Sequence, residues 1–256
     1  MYRTVQKERM MTELLGRRAL VTGGSRGIGA AIALALADRG ADVAISYERA
    51  ADRAADIVRA IEAKGRRGLA VQADGADPAA VRRLVAATVE GLGGLDILVN
   101  NAGIARHGTV AEMSLEDIDA LLDVNVRAAV LAAQAAIPHL GAGGRIVFIG
   151  SSLADRSVAA GVTVYSMTKS AQSALTRGLA RELGPRDVTV NLVQPGATDT
   201  DMNPADGDHA EGLRVQTPLG RYGRPEDVAV AVAFLAGPAA RQITGTVVTV
   251  DGGLNA

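Results

Sequence analysis

Short apolar runs alternate with longer amphipathic stretches along nearly the whole chain, and each change of period marks an element. Residues 19–21 (Ala-Leu-Val) read as a buried strand, followed by a glycine-rich turn and an apolar helix over 28–39 that Gly40 ends. A strand at 42–46, a charged amphipathic helix over 50–64 and a strand at 69–73 come next. Pro78 suits the first turn of a helix running to residue 90. Strands at 95–99, 145–149, 188–193 and 246–250 alternate with helices over 115–137, 164–183 and 225–235. Seven short, β-branched strands separated by helices predict an α/β fold, a single-domain, doubly wound, seven-stranded parallel sheet of Rossmann type with helices on both faces.

No repeat or low-complexity linker divides the chain, so residues 15–256 are expected to form one domain behind a leader of residues 1–14. One polar, helix-poor stretch, 198–218, interrupts the pattern, and Asn203-Pro204-Ala205-Asp206-Gly207 within it reads as turns. It is the natural place for a substrate loop. Composition narrows the choice of function. A net charge of −1 gives no electrostatic grip on nucleic acid or an anionic membrane. No cysteine occurs, which removes disulfides and thiolate chemistry, and His107, His139 and His209 lie too far apart to suggest a metal site. The first eleven residues carry no apolar signal region, and no uninterrupted apolar stretch reaches membrane-spanning length. A soluble cytoplasmic protein is expected.

The first strand–helix junction carries Thr22-Gly23-Gly24-Ser25-Arg26-Gly27-Ile28-Gly29. A phosphate needs close backbone approach and free amides at a helix N-terminus, and glycines there supply both, although a glycine trio alone could be only a tight turn. The second strand ends Ser46-Tyr47 without the acid that would hold a ribose 2′-hydroxyl, while Arg26 and Arg49 offer positive charge to a 2′-phosphate. NADP(H) is therefore preferred over NAD(H), which stays possible. Asp74 after the third strand is placed to accept from an adenine amine, and Asn100-Asn101-Ala102-Gly103 follows the fourth strand at the edge where ligands bind.

Tyr165 and Lys169 stand four apart at the start of a predicted helix and share a face. A tyrosine proton is held too tightly for catalysis near neutral pH, and a neighbouring ammonium would lower its pKa. A buried tyrosine beside a snorkelling lysine is the plain alternative. Gly150-Ser151-Ser152 closes the fifth strand, where either serine could hold a substrate oxygen. Asn125 is polar among Val124, Val126, Ala128 and Ala129, and a buried asparagine needs partners, a proton-conducting water among them.

Taken together, these motifs resemble the classical short-chain dehydrogenase/reductase family over essentially the whole chain after the leader. The family's Thr-Gly-x-x-x-Gly-x-Gly falls on Thr22 to Gly29, its Asn-Asn-Ala-Gly on Asn100 to Gly103, and its Tyr-x-x-x-Lys on Tyr165 to Lys169. The resemblance implies a catalytic set of Asn125, Ser152, Tyr165 and Lys169, Ser152 being selected because the family serine commonly lies thirteen residues before the tyrosine. It implies a cofactor site of Gly23, Ser25, Arg26, Gly27, Ile28, Gly29, Ser46, Tyr47, Asp74, Asn101, Ala102 and Gly103. Tyr165 and Lys169 also belong to it, with Pro195, Gly196, Thr198 and Thr200 from the segment after the sixth strand. Hydride would pass between the nicotinamide and a small-molecule carbonyl or alcohol, with Tyr165 as acid, Lys169 on the ribose and Asn125 supporting a relay water. The family's habit implies a homotetramer built on the two long helices.

Within the family the chain is similar to bacterial 3-oxoacyl-acyl-carrier-protein reductases. Asp199-Thr200-Asp201-Met202-Asn203-Pro204 and Ala154-Asp155-Arg156 also resemble a bacterial subgroup that includes a cyclic-di-GMP-binding biofilm-dispersal member. Acyl carrier protein and cyclic-di-GMP are thus possible partners. Two other readings remain open at this stage: an NAD-dependent alcohol or sugar dehydrogenase, and a nucleotide-binding regulator that sequesters cyclic-di-GMP.

Overall fold

The computed structural model describes residues 13–256. Among the described residues seven strands form one parallel sheet: β1 (Arg18–Val21), β2 (Asp42–Tyr47), β3 (Gly68–Gln72), β4 (Ile97–Asn100), β5 (Arg145–Ile149), β6 (Thr189–Pro195) and β7 (Val247–Val250). Their order is β3-β2-β1-β4-β5-β6-β7. The order reverses between β1 and β4, which pair with Val21 opposite Val99, and crevices at the carboxyl ends of such a reversal are where ligands bind. The helices are α1 (Gly27–Asp38), α2 (Ala51–Glu62), α3 (Pro78–Leu92), α4 (Leu115–Leu122), α5 (Ala128–Ala136), α6 (Thr163–Leu183), α7 (Ala210–Gln216) and α8 (Pro225–Ala236).

Side-chain alternation along the strands feeds two cores. Ala19 and Val21 of β1 point to one face, with Ile45, Val99 and Val147, and meet Ile32 and Leu36 of α1 and Val228 and Val232 of α8. Leu20 points to the other, with Leu98, Ile146 and Phe148, and meets Leu84 of α3, Ala132 of α5 and Leu179 of α6. Both faces are therefore covered. The many alanines on α1, α5 and α8 leave room for helices to lie close, as a chain almost without large aromatics requires.

Four sequence expectations change. The helix expected over 115–137 is interrupted at Asp123–Arg127 by a π-helical turn, in which the Ala128 amide reaches back to the Asp123 carbonyl. The continuous helical run Leu115–His139 is 25 residues long, with mean hydropathy 1.5 in its most apolar window. By length and composition it could cross a membrane, contrary to the expectation that no stretch could. Part of it is core, however, since Ala128, Ala129, Ala132, Ala133 and Ala136 pack toward the sheet. The stretch expected to lack helix contains α7. Finally, Leu14 is buried with its amide on the Arg39 carbonyl, and Glu13 pairs with Arg39 at 2.5 Å. Residues 13 and 14 thus pack with the domain and not with a leader; residues 1–12 of that leader lie outside the described residues.

Candidate active site

A cleft of about 1120 Å³ runs along the carboxyl edge of the sheet, from the glycine-rich turn after β1 to the turn after β5. It exceeds the roughly 300–1,000 Å³ of ordinary small-molecule pockets, which suits an extended ligand plus a second molecule. Ser25, Arg26, Gly27, Ile28 and Gly29 line one end, with Ser46, Tyr47 and Asp74 beside them. The turn is held open by polar staples. The Thr22 hydroxyl accepts the Asn101 and Ala102 amides at 3.0 and 2.9 Å, and the Asn101 carboxamide donates to the Thr22 and Gly23 carbonyls. The Gly23 amide donates to Ser46 Oγ at 2.9 Å. These contacts explain the asparagine and the serine at their strand ends: both shape the turn.

Glycine is required here for space. A Cβ on Gly29 would stand 2.4 Å from the Gly23 carbonyl oxygen, and Gly23 itself has φ +64° with Ala102 3.1 Å from a Cβ. The N-terminal turn of α1 has no acidic residue and no side-chain cap, so its amides and dipole face the cleft. That is a cradle for phosphate, and a dinucleotide fits it. Asp74 is exposed at the wall, with one carboxylate oxygen already accepting the Ala76 amide at 2.8 Å. The two arginines expected at a 2′-phosphate part company. Both line the cleft, but Arg26 is paired with Asp201 from the segment after β6, whereas Arg49 is highly exposed and paired with its neighbour Glu48.

At the other end Ser151, Ser152, Tyr165 and Lys169 all line the cleft. Tyr165 and Lys169 share the inner face of α6, with Nζ 5.8 Å from the ring centroid, and Nζ donates to the Ile149 carbonyl at 3.0 Å. Asn125 is fully buried within the π turn. Its Oδ1 accepts the Ile104 amide and its Nδ2 donates to the Ile104 carbonyl, both at 2.9 Å, and also to Thr168 Oγ1 at 3.1 Å. The Thr168 hydroxyl donates in turn to the Tyr165 carbonyl. Asn125 thereby ties the strand-end loop to the helix bearing tyrosine and lysine. Its own carbonyl accepts from Gln172 Nε2 at 3.0 Å, a partner that sequence reasoning missed. The spot above Gly103, where a side chain would begin, lies 3.1 Å from Lys169 Nζ and 3.2 Å from Asn125 Oδ1.

One chemical expectation shifts. Burial pushes the Tyr165 phenol above its ordinary pKa, and hydrogen bonding from Ser151 opposes that without cancelling it. The expected depression by Lys169 is not the net result, because losing water costs the phenolate more than its neighbours return. Burial also lowers Lys169 to about 8. Ser151 is the serine whose hydrogen bonding acts on the phenol, and the Ser152 that family spacing selects also lines the cleft. Ser151 continues β5 in extended conformation (φ −163°), while Ser152 enters a 3₁₀ turn and is fixed through its carbonyl by Asn255 Nδ2 at 2.7 Å.

Pro195 ends β6, Gly196 is paired to Val250, and Thr198 donates to the Gly196 carbonyl, so the floor beside the cleft is fixed by backbone contacts. Thr200 lies over Gly27, its methyl 3.3 Å from where a Cβ would be. Leu153, Ala159, Met202 and Leu213 all line the cleft, as does exposed His107. α7 is held by Arg214, which bonds the Ala205 carbonyl and lies 5.4 Å over the Tyr222 ring. Arg53, on the first turn of α2, carried no sequence signal. It reaches Asp201 in the segment after β6.

Relatives of known structure share this fold. Residues 23–255 match the family described as enoyl-(acyl carrier protein) reductase. The cyclic-di-GMP-binding biofilm dispersal mediator protein of Escherichia coli is 42% identical over 246 residues, covering 96% of this chain and 100% of that protein. The 3-oxoacyl-[acyl-carrier-protein] reductase of Staphylococcus aureus is 39% identical over 241 residues, 93% of this chain and 98% of the enzyme. A short-chain dehydrogenase from Burkholderia cenocepacia J2315, solved in complex with NADP, matches at TM-score 0.95 and 59% identity over 96% of this chain and 100% of its own. With a seven-stranded parallel sheet, a glycine-rich turn at its switch point and the tyrosine–lysine pair on α6, the chain belongs to the short-chain dehydrogenase/reductase family.

Proposed function

We propose that the chain is an NADP(H)-dependent reductase that delivers hydride to the carbonyl of a ketone, aldehyde or 3-oxoacyl thioester, with Tyr165 as the proton donor. One observation carries the reading: a single cleft joins a phosphate cradle at α1 to a half-buried tyrosine and a buried lysine near the turn after β5. The Burkholderia relative was solved with NADP, and Arg26 at the rim of the cradle is the charge that a 2′-phosphate would meet.

The bound nicotinamide supplies the hydride. Gly23, Ser25, Gly27, Ile28, Asn101, Ala102 and Gly103 would hold the dinucleotide's phosphates and ribose, with Thr200 at the phosphates over Gly27, and Pro195, Gly196 and Thr198 would close around its nicotinamide side. The Ser151 hydroxyl binds the substrate oxygen. A phenol kept protonated by burial gives its proton to that oxygen as negative charge develops there. Lys169, lowered to about 8, exchanges protons readily near neutral pH and restores the phenol. Asn125 positions the lysine's surroundings through Ile104 and Thr168.

Replacement Tyr165→Phe should lower kcat by about 10²–10⁴, the range for losing a positioned acid, while leaving NADPH affinity within a few-fold. Stopped-flow NADPH oxidation and a fluorescence titration measure the two. Normal turnover by the variant would sink the assignment. A panel of β-ketoacyl thioesters, diketones, quinones and simple aldehydes separates the substrate classes, and an acyl-carrier-protein thioester included in it tests that partner.

A second reading has one observation in its favour, the 42% identity to the Escherichia coli mediator protein, whose name gives cyclic-di-GMP as its ligand. On that reading the same cleft sequesters the dinucleotide. Saturable cyclic-di-GMP binding displaced by NADPH would support it, and no binding at high micromolar ligand would end it.

A further inference from the structure

The segment after β6 is fastened to the cofactor rim by one carboxylate. Arg26 NH1, from the glycine-rich turn, lies 3.3 Å from Asp201 Oδ2, and Arg53 NH1, from the first turn of α2, lies 2.5 Å from the same oxygen. Two guanidinium groups from two different elements converge on a single anionic atom. Arg26 and Asp201 both line the cleft beside Ser46, Tyr47 and Glu48, at the end of β2. Next to Asp201, Thr200 covers Gly27 at the start of α1. The segment behind Asp201 is a tied body: Asp199 accepts the Ala205 amide, Thr200 bridges Asn203, and the Tyr222 hydroxyl donates to the Asn203 side chain.

Charge is unequal in this cluster. Two full positive charges face one negative charge, and all three groups are more than half exposed. An exposed arginine–carboxylate pair is a weak tie. A phosphate monoester dianion brings three acceptor oxygens and up to two negative charges to the same guanidiniums, and arginine holds such groups in bidentate fashion. The Arg53 and Arg26 hydrogen bonds keep the Asp201 carboxyl below its ordinary pKa, so it stands as a full anion at neutral pH.

We propose that Asp201 is an internal competitor for the cofactor's 2′-phosphate, occupying Arg26 and Arg53 until NADP(H) takes them, and that Arg53 is the second arginine of the 2′-phosphate site. The inference rests on the NADP(H) reading above and adds two specificity-determining residues to it. Arg49 also lines the cleft but is paired with its neighbour Glu48, whereas Arg53 meets the cleft through Asp201.

The test is a pair of fluorescence titrations of the full-length protein, with NADPH and with NADH, in the wild type, Asp201→Asn and Arg53→Gln. The asparagine keeps the side chain's shape and removes the competing charge. It should tighten NADPH about three- to fivefold, the size expected of releasing exposed ion pairs, and change NADH affinity less than twofold. Arg53→Gln should weaken NADPH by a similar or larger factor, again with NADH nearly unmoved. Thermal melts confirm that each variant folds. A wild type that prefers NADPH while Asp201→Asn leaves the NADPH-to-NADH ratio unchanged overturns the competitor role and leaves the cofactor reading standing. An Arg53→Gln ratio that is unchanged overturns the second-arginine role in the same way. A wild type with no preference for NADPH overturns the cofactor reading, and the inference falls with it.

Discussion

Lys169 lies buried against the Ile149 carbonyl, where its ammonium has exchanged water for one hydrogen bond and the face of a tyrosine. Burial lowers its pKa from 10.5 to about 8, which means that folding disfavours the charged form. The charge therefore serves chemistry and opposes stability. Lys169→Met keeps the length of the side chain and removes the charge, so it should end turnover yet raise stability by about 1–4 kcal/mol at pH 7, the range for replacing buried ionic groups with apolar ones. For a chain of this size each kcal/mol moves Tm by roughly 2–4 °C. The gain should be full below about pH 8, where folded and unfolded lysines are both charged, should shrink between pH 8 and 10.5, and should vanish above that, where both are neutral. Melts at pH 7 and pH 10 measure the difference, and a variant less stable at pH 7 would contradict it. The tyrosine–lysine pair was legible from its spacing of four. The direction of the tyrosine's pKa was not, because desolvation depends on which segments fold over it.

The turn after β5 decides which serine works. A strand's side chains alternate, and the backbone leaves the extended region between Ser151 and Ser152, so moving one residue along the chain changes what each hydroxyl faces. Counting thirteen residues back from Tyr165 assumes a fixed length for the loop between them, and a loop one residue longer than usual would move the count to Ser151. If Ser151 holds the substrate oxygen, Ser151→Ala should lower kcat by about 10²–10³, as for losing one donor to a developing oxyanion. Ser152→Ala should leave kcat within severalfold, and steady-state NADPH oxidation compares the two. Equal losses in both would remove the distinction. The π turn at Asp123–Arg127 was hidden for a related reason: Val124, Val126, Ala128 and Ala129 continue the apolar pattern, and five residues of wider helix barely disturb it. The strands could be read because short β-branched runs between glycine and proline signals leave few alternatives. α7 could not, since a seven-residue polar helix is held by Arg214, Ala205 and Tyr222 and not by its own periodicity.

At the scale of the whole molecule, the sheet gathers every candidate site residue at its carboxyl edge and leaves the two outer helical layers with apolar side chains in solvent. One layer exposes Val130 of α5 and Met167 of α6, and the opposite layer exposes Val230 and Phe234 of α8, which are one helical turn apart. A single two-fold contact would cover only one of these faces. Two different two-fold contacts on opposite sides of the sheet close into a tetramer with D₂ symmetry, and we propose that assembly for this chain. Charge placed on one face should then break one contact and spare the other. Phe234→Glu should convert a tetramer into a dimer held by α5 and α6, because a desolvated carboxylate without a partner costs far more than the ring it replaces contributes. The site residues on α6 and the π turn lie in the opposite layer, so the variant's Tyr165 and Lys169 should still bind NADPH. Light scattering coupled to gel filtration reads the mass at several protein concentrations. A variant that stays tetrameric at low micromolar concentration would show that α8 is not an interface, and a wild type that runs as a dimer would show that only one face is used.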